Sequence, residues 1–267
     1  MTYATQQASP AIKASLNFLS ILKAGIFTGI IAGVALGGLL LLFLTPIILE
    51  AETYEIQIPD SHPLIPRNIV HFWTFAGAIM LGILYSIIFT FVYTMVQHRI
   101  PVKNVGFKSL ILALNGFLVA VLVPSLYLPP NPPGMETSLS VMTRQSIFIA
   151  MIIAGILASI AFWIIYSRLS RKYNPMSGLS TGAIAFVVII ITAFSLFPPN
   201  SNIPSIPSDL LWKYRVESLG AMFAFWVTMG VMVNTMLEYF RPHFYHRKFG
   251  RKVFKFMHQI QTKAGLH

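Results

Sequence analysis

An all-helical (all-α) polytopic membrane protein with six transmembrane helices is the fold class the sequence predicts, and three observations carry it. Of the 267 residues, 55% are hydrophobic and 10% are charged, against about 25% charged in an ordinary soluble domain. Mean hydropathy is +0.70. The apolar residues gather into six segments, approximately 22–49, 70–97, 107–128, 146–167, 178–197 and 217–240, each close to the ~20 residues that cross a bilayer as a helix.

The third observation is how charge is shared among the loops. The N-terminus, the 98–108 loop, the 168–177 loop and the C-terminal tail hold 15 of the 19 Lys and Arg residues. The acids show the opposite bias. Glu50, Glu52, Glu55, Asp60, Glu136, Asp209 and Glu217 fall on the other side, and only Glu238 on the first. Basic loops stay cytoplasmic, so both termini are expected inside (N-in, C-in), with three outer loops. The net charge of +11 then reflects topology in the cytoplasmic membrane, and no nucleic-acid partner is expected. Met1–Ser15 is mostly polar or small, so no cleavable signal is expected and the first span anchors the chain.

The first segment opens with Gly25, Gly29, Gly33 and Gly37, spaced by four, with Gly38 alongside. Small residues at that spacing let a second helix approach closely in lipid, where van der Waals packing drives association. These four glycines are read as a helix seam. The segment runs on through Leu39–Leu44 and is expected to break at Pro46. The second segment follows Pro66 and Arg67. The third ends in Leu128-Pro129-Pro130-Asn131-Pro132-Pro133-Gly134, and Thr137, Ser138 and Ser140 offer hydroxyl caps for the fourth. The fifth carries the β-branched run Val187–Ile191, which reads as helix because in lipid a helix satisfies its own backbone.

Pro-Pro-Asn recurs after the fifth segment, at Pro198-Pro199-Asn200. Arg67, Arg144 and Arg215 precede or open the second, fourth and sixth segments. The pattern suggests three hairpins of one design, and internal repeats are common in transporters. Residues 1–240 then form the transmembrane domain and 241–267 a basic cytoplasmic tail. In that tail Phe249, Val253, Phe256, Met257 and Ile260 fall at helical spacing among Lys and Arg, the pattern of an amphipathic helix on anionic membrane lipid.

The chain has no cysteine, which excludes disulfides, thiolate metal sites and iron–sulfur clusters. It carries no Walker loop and no Gly-x-Ser-x-Gly elbow, so no enzyme and no permanently bound cofactor is expected. His243 and His246 fit an interfacial aromatic and basic belt better than a metal site.

The outer acids are more informative. Three of the eight acidic residues, Glu50, Glu52 and Glu55, fall within six positions at the mouth of the first span. Glu52 and Glu55 share a face if the helix continues, as do Glu50 and Tyr54. Hard or borderline divalent cations take carboxylate oxygen and imidazole nitrogen, so Glu50, Glu52, Glu55 and His62 are candidate metal ligands. No carboxylate lies deep in a span, which leaves a proton relay unsupported. Asn115 and Asn234 are the clearest polar groups inside the spans. Arg144 and Arg215 are expected to pair with glutamates of the first segment and hold the mouth together.

Pro46-Ile47-Ile48-Leu49-Glu50-Ala51-Glu52-Thr53-Tyr54-Glu55 resembles the signature that ends the first span of the CbtA family, predicted cobalt-transporter membrane subunits. Pro124–Gly134 with Arg144-Gln145 resembles that family's central proline motif, and Arg215-Val216-Glu217-Ser218-Leu219 resembles the start of its last span. The resemblance implies cobalt as the transported cation, uptake across the cytoplasmic membrane, and a small CbtB-type membrane subunit as partner. Homo-oligomerisation stays open. The alternative function is a non-transporting membrane scaffold, an accessory subunit that packs through its glycine seam in a larger complex.

Overall fold

The computed structural model describes residues 17–54, 67–133, 135, 138–199 and 206–241. Every element among them is helical. Six helices are long and apolar enough to cross a membrane: span 1 (Phe18–Tyr54), span 2 (Ile69–Val96), span 3 (Val105–Tyr127), span 4 (Val141–Lys172), span 5 (Pro175–Ser195) and span 6 (Ser208–Tyr239). Glu55, His62, Glu136, His243, His246 and all of the tail beyond Arg241 lie outside the described residues.

The helix starts are set by short polar side chains that accept from otherwise unpaired backbone N–H groups. Asn17 caps span 1 through the Ser20 amide at 2.8 Å, and Asn104 caps span 3 through the Gly106 amide at 2.9 Å. Ser140, one of the expected hydroxyl caps, accepts from the Thr143 amide. Asn174 accepts from Ser177 at 2.7 Å.

Span 1 does not break at Pro46. It continues through a widened π turn at Leu40–Leu44, a further helical turn at Thr45–Ala51 and a tight 3-10 turn at Glu52–Tyr54. Span 3 repeats the device: a π turn at Leu118–Leu122, then Val123-Pro124. A proline ring presses on the carbonyl four residues earlier, here Leu42 and Ala120. Both carbonyls lie inside the widened turn, so one extra residue in the turn absorbs the clash. The Thr45 hydroxyl also donates to the Leu40 carbonyl at 3.1 Å.

The spans do not pair as three successive hairpins. The closest partners are spans 1 and 2, spans 4 and 5, and spans 3 and 6, with span 6 also against span 1. Glycines select these partners because only they admit a neighbouring backbone. A Cβ on Gly29 would stand 2.5 Å from the Ile83 Cα and 2.6 Å from the Gly82 carbonyl oxygen. One on Gly33 would stand 2.6 Å from the Ile79 Cα, and one on Gly37 would meet the Phe75 ring at 2.6 Å. Gly25 faces the Ile87 backbone. All four seam glycines therefore face span 2 of the same chain. On span 5, Gly178 and Gly182 face Ser170, Tyr166 and Phe162 of span 4. Between spans 3 and 6, Gly230 faces Ala113, and Gly116 accommodates the Trp226 ring.

Two larger apolar cores result, besides a small cluster where the ends of spans 1 and 6 meet. One is centred on Ala24, Ala32, Tyr93, Phe225, Met229 and Val233 and joins spans 1, 2, 3 and 6. The other, built on Val123, Ile147, Met151, Ala158 and Ile190, joins spans 3, 4 and 5. The remaining large apolar side chains, such as Met80, Leu84, Ile153, Ile184 and Ile191, are exposed on the outer faces, as lipid-facing positions require.

Candidate functional site

The Glu50 end of the bundle carries Glu50 and Glu52, the two described residues among those that the sequence marks as ligands. After its π turn, span 1 buries Ile47 and Ala51 against Ile206 and Leu210 at the start of span 6. Glu50 and Glu52, in the same turns, are both exposed. The apolar side chains thus anchor the turn and leave the two glutamates exposed. The Thr53 hydroxyl donates to the Glu50 carbonyl at 2.7 Å, which ties down the last turn. Glu55 and His62 are outside the described residues, so the four candidates are not seen together. Among the described residues no group of three or more His, Asp and Glu side chains gathers closely enough to hold a metal.

Asp209, another of the acids assigned to the outer side, lies in the first turn of span 6. It is exposed and directly precedes Leu210, whose side chain packs on the Ile47–Ala51 turn. Its only sequence signal was its place on the outer side. The contact between the ends of spans 1 and 6 is long-range and leaves no local pattern.

Arg215 does other work than expected. Arg215 donates from Nε to the Pro130 carbonyl at 3.4 Å and from Nη2 to Asn131 Oδ1 at 3.0 Å, rather than to a glutamate of span 1. Its guanidinium also lies 5.8 Å from the Trp212 ring centre. Prolines bring carbonyls without the matching N–H groups, so the Pro-Pro-Asn loop presents acceptors that a guanidinium fork suits. The second Pro-Pro-Asn is gripped likewise: the Tyr127 hydroxyl donates to the Pro198 carbonyl at 2.8 Å. Arg144 is half-buried, and its Nε has no hydrogen-bond partner among the described residues.

Inside the bundle the two asparagines join helices. Asn115 Oδ1 accepts from the Ser159 hydroxyl at 2.9 Å, linking spans 3 and 4. Asn234 of span 6 accepts from the Tyr93 hydroxyl of span 2 at 2.7 Å, and its amide donates to the Val105 carbonyl at 3.1 Å and to Ser109 of span 3. At the end opposite Glu50, an open groove of about 670 Å³ lies among Pro101, Phe162, Trp163, Tyr166 and Pro175. Its apolar, aromatic lining offers a cation no carboxylate.

The fold defines a multi-pass helical membrane protein of six apolar spans, with Glu50 and Glu52 exposed at one end. Residues 18–238 match the family model described as probable cobalt transporter subunit (CbtA), and the chain belongs to that family. No curated protein and no solved structure matches it.

Proposed function

We propose that the chain is the membrane subunit of a divalent-cation uptake system, with cobalt as cargo. The Glu50 end faces outward, and Glu50, Glu52, Glu55 and His62 form the capture site. The observation that supports this best is the orientation of the last turns of span 1. Their apolar face is anchored on span 6, and Glu50 and Glu52 are presented to solvent. Exposed carboxylates attract a divalent cation by field and ligate it with oxygen, without the cost of burying charge. The name of the family, a transporter subunit, accords with a partner, and a small CbtB-type membrane protein fits that role. The scaffold reading loses support, because the glycine seam it relies on is filled by span 2 of the same chain.

The test is cobalt uptake into cells expressing the chain with and without a CbtB-type partner. Wild type is compared with Glu50→Gln, Glu52→Gln and Glu55→Gln at equal membrane levels. The expected result is uptake that depends on the chain and falls several-fold in at least one mutant. Absence of uptake under both conditions refutes the proposal.

A further inference from the structure

The directions and partners of the six helices share one pattern. Gly25 lies by Ile87 and Gly37 by Phe75, so spans 1 and 2 are antiparallel. Spans 4 and 5 are antiparallel by Gly178 beside Tyr166 and Gly182 beside Phe162. Spans 3 and 6 are antiparallel by Arg215 at Asn131 and Asn234 at Ser109. Span 4 runs against span 3, with Gly155 beside Val119 and Ile147 in one cluster with Val123 and Leu128. Spans 1, 3 and 5 therefore point one way and spans 2, 4 and 6 the other.

Divided after span 3, the chain gives two sets of three spans that start from opposite ends. In each set the first span packs on the second through glycines. The third span of each set packs on the third of the other, and also on the first of the other. At the crossing the exchange is reciprocal: Gly116 of span 3 receives Trp226 of span 6, and Gly230 of span 6 receives Ala113 of span 3. This is the arrangement of an inverted repeat, with its pseudo-two-fold axis at the crossing of spans 3 and 6.

Each end of the seam is held by hydrogen bonds between the two sets. At the Glu50 end they are Tyr127 to the Pro198 carbonyl and Arg215 to Pro130 and Asn131. At the other end Tyr93 donates to Asn234, which donates to Val105 and Ser109. The middle is less well satisfied. Trp226 is 6% exposed, and its Nε1 has no acceptor among the described residues. A buried donor without a partner marks a packing that is not the best for that group. The oxygens near the seam, on Ser109, Asn115, Ser159 and Asn234, are neutral, and such ligands hold a cation weakly enough to release it.

We propose that residues 18–127 and 141–239 are two inverted halves that rock about the crossing of spans 3 and 6, and that the cargo cation passes along this seam. The proposal rests on the transport reading, and it replaces three parallel hairpins with two opposed halves. Opening one end breaks its hydrogen bonds while those at the other end stay closed, which is alternating access.

The test uses the absence of native cysteine. Single reporters Ala221→Cys, towards the Glu50 end of the seam, and Val233→Cys, towards the other, are placed at buried positions of span 6. Their labelling by a thiol reagent is followed in purified protein that elutes as a single species. Tyr127→Phe and Tyr93→Phe each remove one latch with little change of shape. Tyr127→Phe is expected to raise labelling at Ala221→Cys about threefold and to lower it at Val233→Cys, and Tyr93→Phe to do the reverse, the factor following from a membrane hydrogen bond of about 0.6 kcal/mol. A rise only at the mutated end, or at both ends, overturns the two-body arrangement. So does no change in either reporter, once Arg215→Gln and Asn234→Leu, which remove more bonds, also give none. Labelling does not need cobalt, so the two readings fail separately. Reciprocal labelling without cobalt uptake removes the cargo assignment alone, and cobalt uptake without reciprocity removes the rocking alone.

Discussion

Gly29→Ala is the sharpest test of the packing. The added methyl would sit 2.5 Å from the Ile83 Cα and 2.6 Å from the Gly82 oxygen. Both are backbone atoms, so no side chain can rotate away. Ordinary contact begins at 3.4 Å, so spans 1 and 2 must part by close to an ångström, and they lose contacts along the whole seam. Overpacking of this kind costs typically about 1–3 kcal/mol, and a clash of two backbones belongs at the upper end. Against that, Ala favours a helix over Gly by about 1 kcal/mol. The net expectation is a loss of about 2 kcal/mol. At roughly 2–4 °C per kcal/mol for a chain of this length, Tm in detergent falls by about 4–8 °C. Gly38→Ala is the control: nothing lies within 4 Å of its Cβ, so only the propensity gain remains and Tm is unchanged or rises. Thermal unfolding of both variants beside wild type decides the matter. Equal Tm values for Gly29→Ala and Gly38→Ala would refute the seam as the place where the two helices touch.

Two further expectations concern the polar contacts. Arg215→Ala should lower stability by about 1.5–3 kcal/mol, the range for hydrogen bonds to a charged group. Arg215→Lys should recover less than half of that, because an ammonium cannot meet two acceptors with a fixed fork; equal Tm for Lys and Arg would count against the grip on the proline loop. A double-mutant cycle of Asn115→Leu and Ser159→Ala should give a coupling of about 0.6 kcal/mol, the average for such bonds in membranes. Strict additivity in thermal unfolding would show that the 2.9 Å contact contributes nothing.

Much of the helix plan was readable because lipid imposes it. Every span had to be about twenty apolar residues long, and the glycines at 25, 29, 33 and 37 announced a close neighbour. Partner choice was harder. The glycines that pair spans 3 and 6 form no stripe, since there is one on each helix: Gly116 meets Trp226, and Gly230 meets Ala113, Leu110 and Ser109. Pro46 read as a break because sequence shows the lost donor and not the widened turn that absorbs it. The matching pattern was visible: Pro46 and Pro124 each end a run of apolar residues that holds a π turn. The arginines misled for a different reason. Opposite charges on one side of the membrane suggest a pair, yet the carbonyls of a proline loop compete for the same donors, and their position depends on the fold of the whole chain. The carboxylates at the end of span 1 were legible as composition. The anchoring of that turn through Ile47 and Ala51 depended on a contact between residues far apart in sequence.

On the uptake reading, the separation of charge along the molecule carries a mechanistic consequence. On that reading Glu50 and Glu52, both exposed, would stand in water, where their attraction reaches over about a Debye length of 8 Å at physiological salt. The seam below offers hydroxyl, amide and carbonyl oxygens. A divalent cation held by several buried carboxylates would be bound too tightly to leave and would demand the burial of charge, whereas neutral oxygens replace part of its hydration shell at lower affinity. Capture and passage are then divided between two sets of groups. The rim raises the local concentration of any divalent cation, and discrimination falls to the seam or to the partner subunit. That division explains why carboxylates crowd the mouth of span 1 while the interior is held together by two asparagines and a tyrosine.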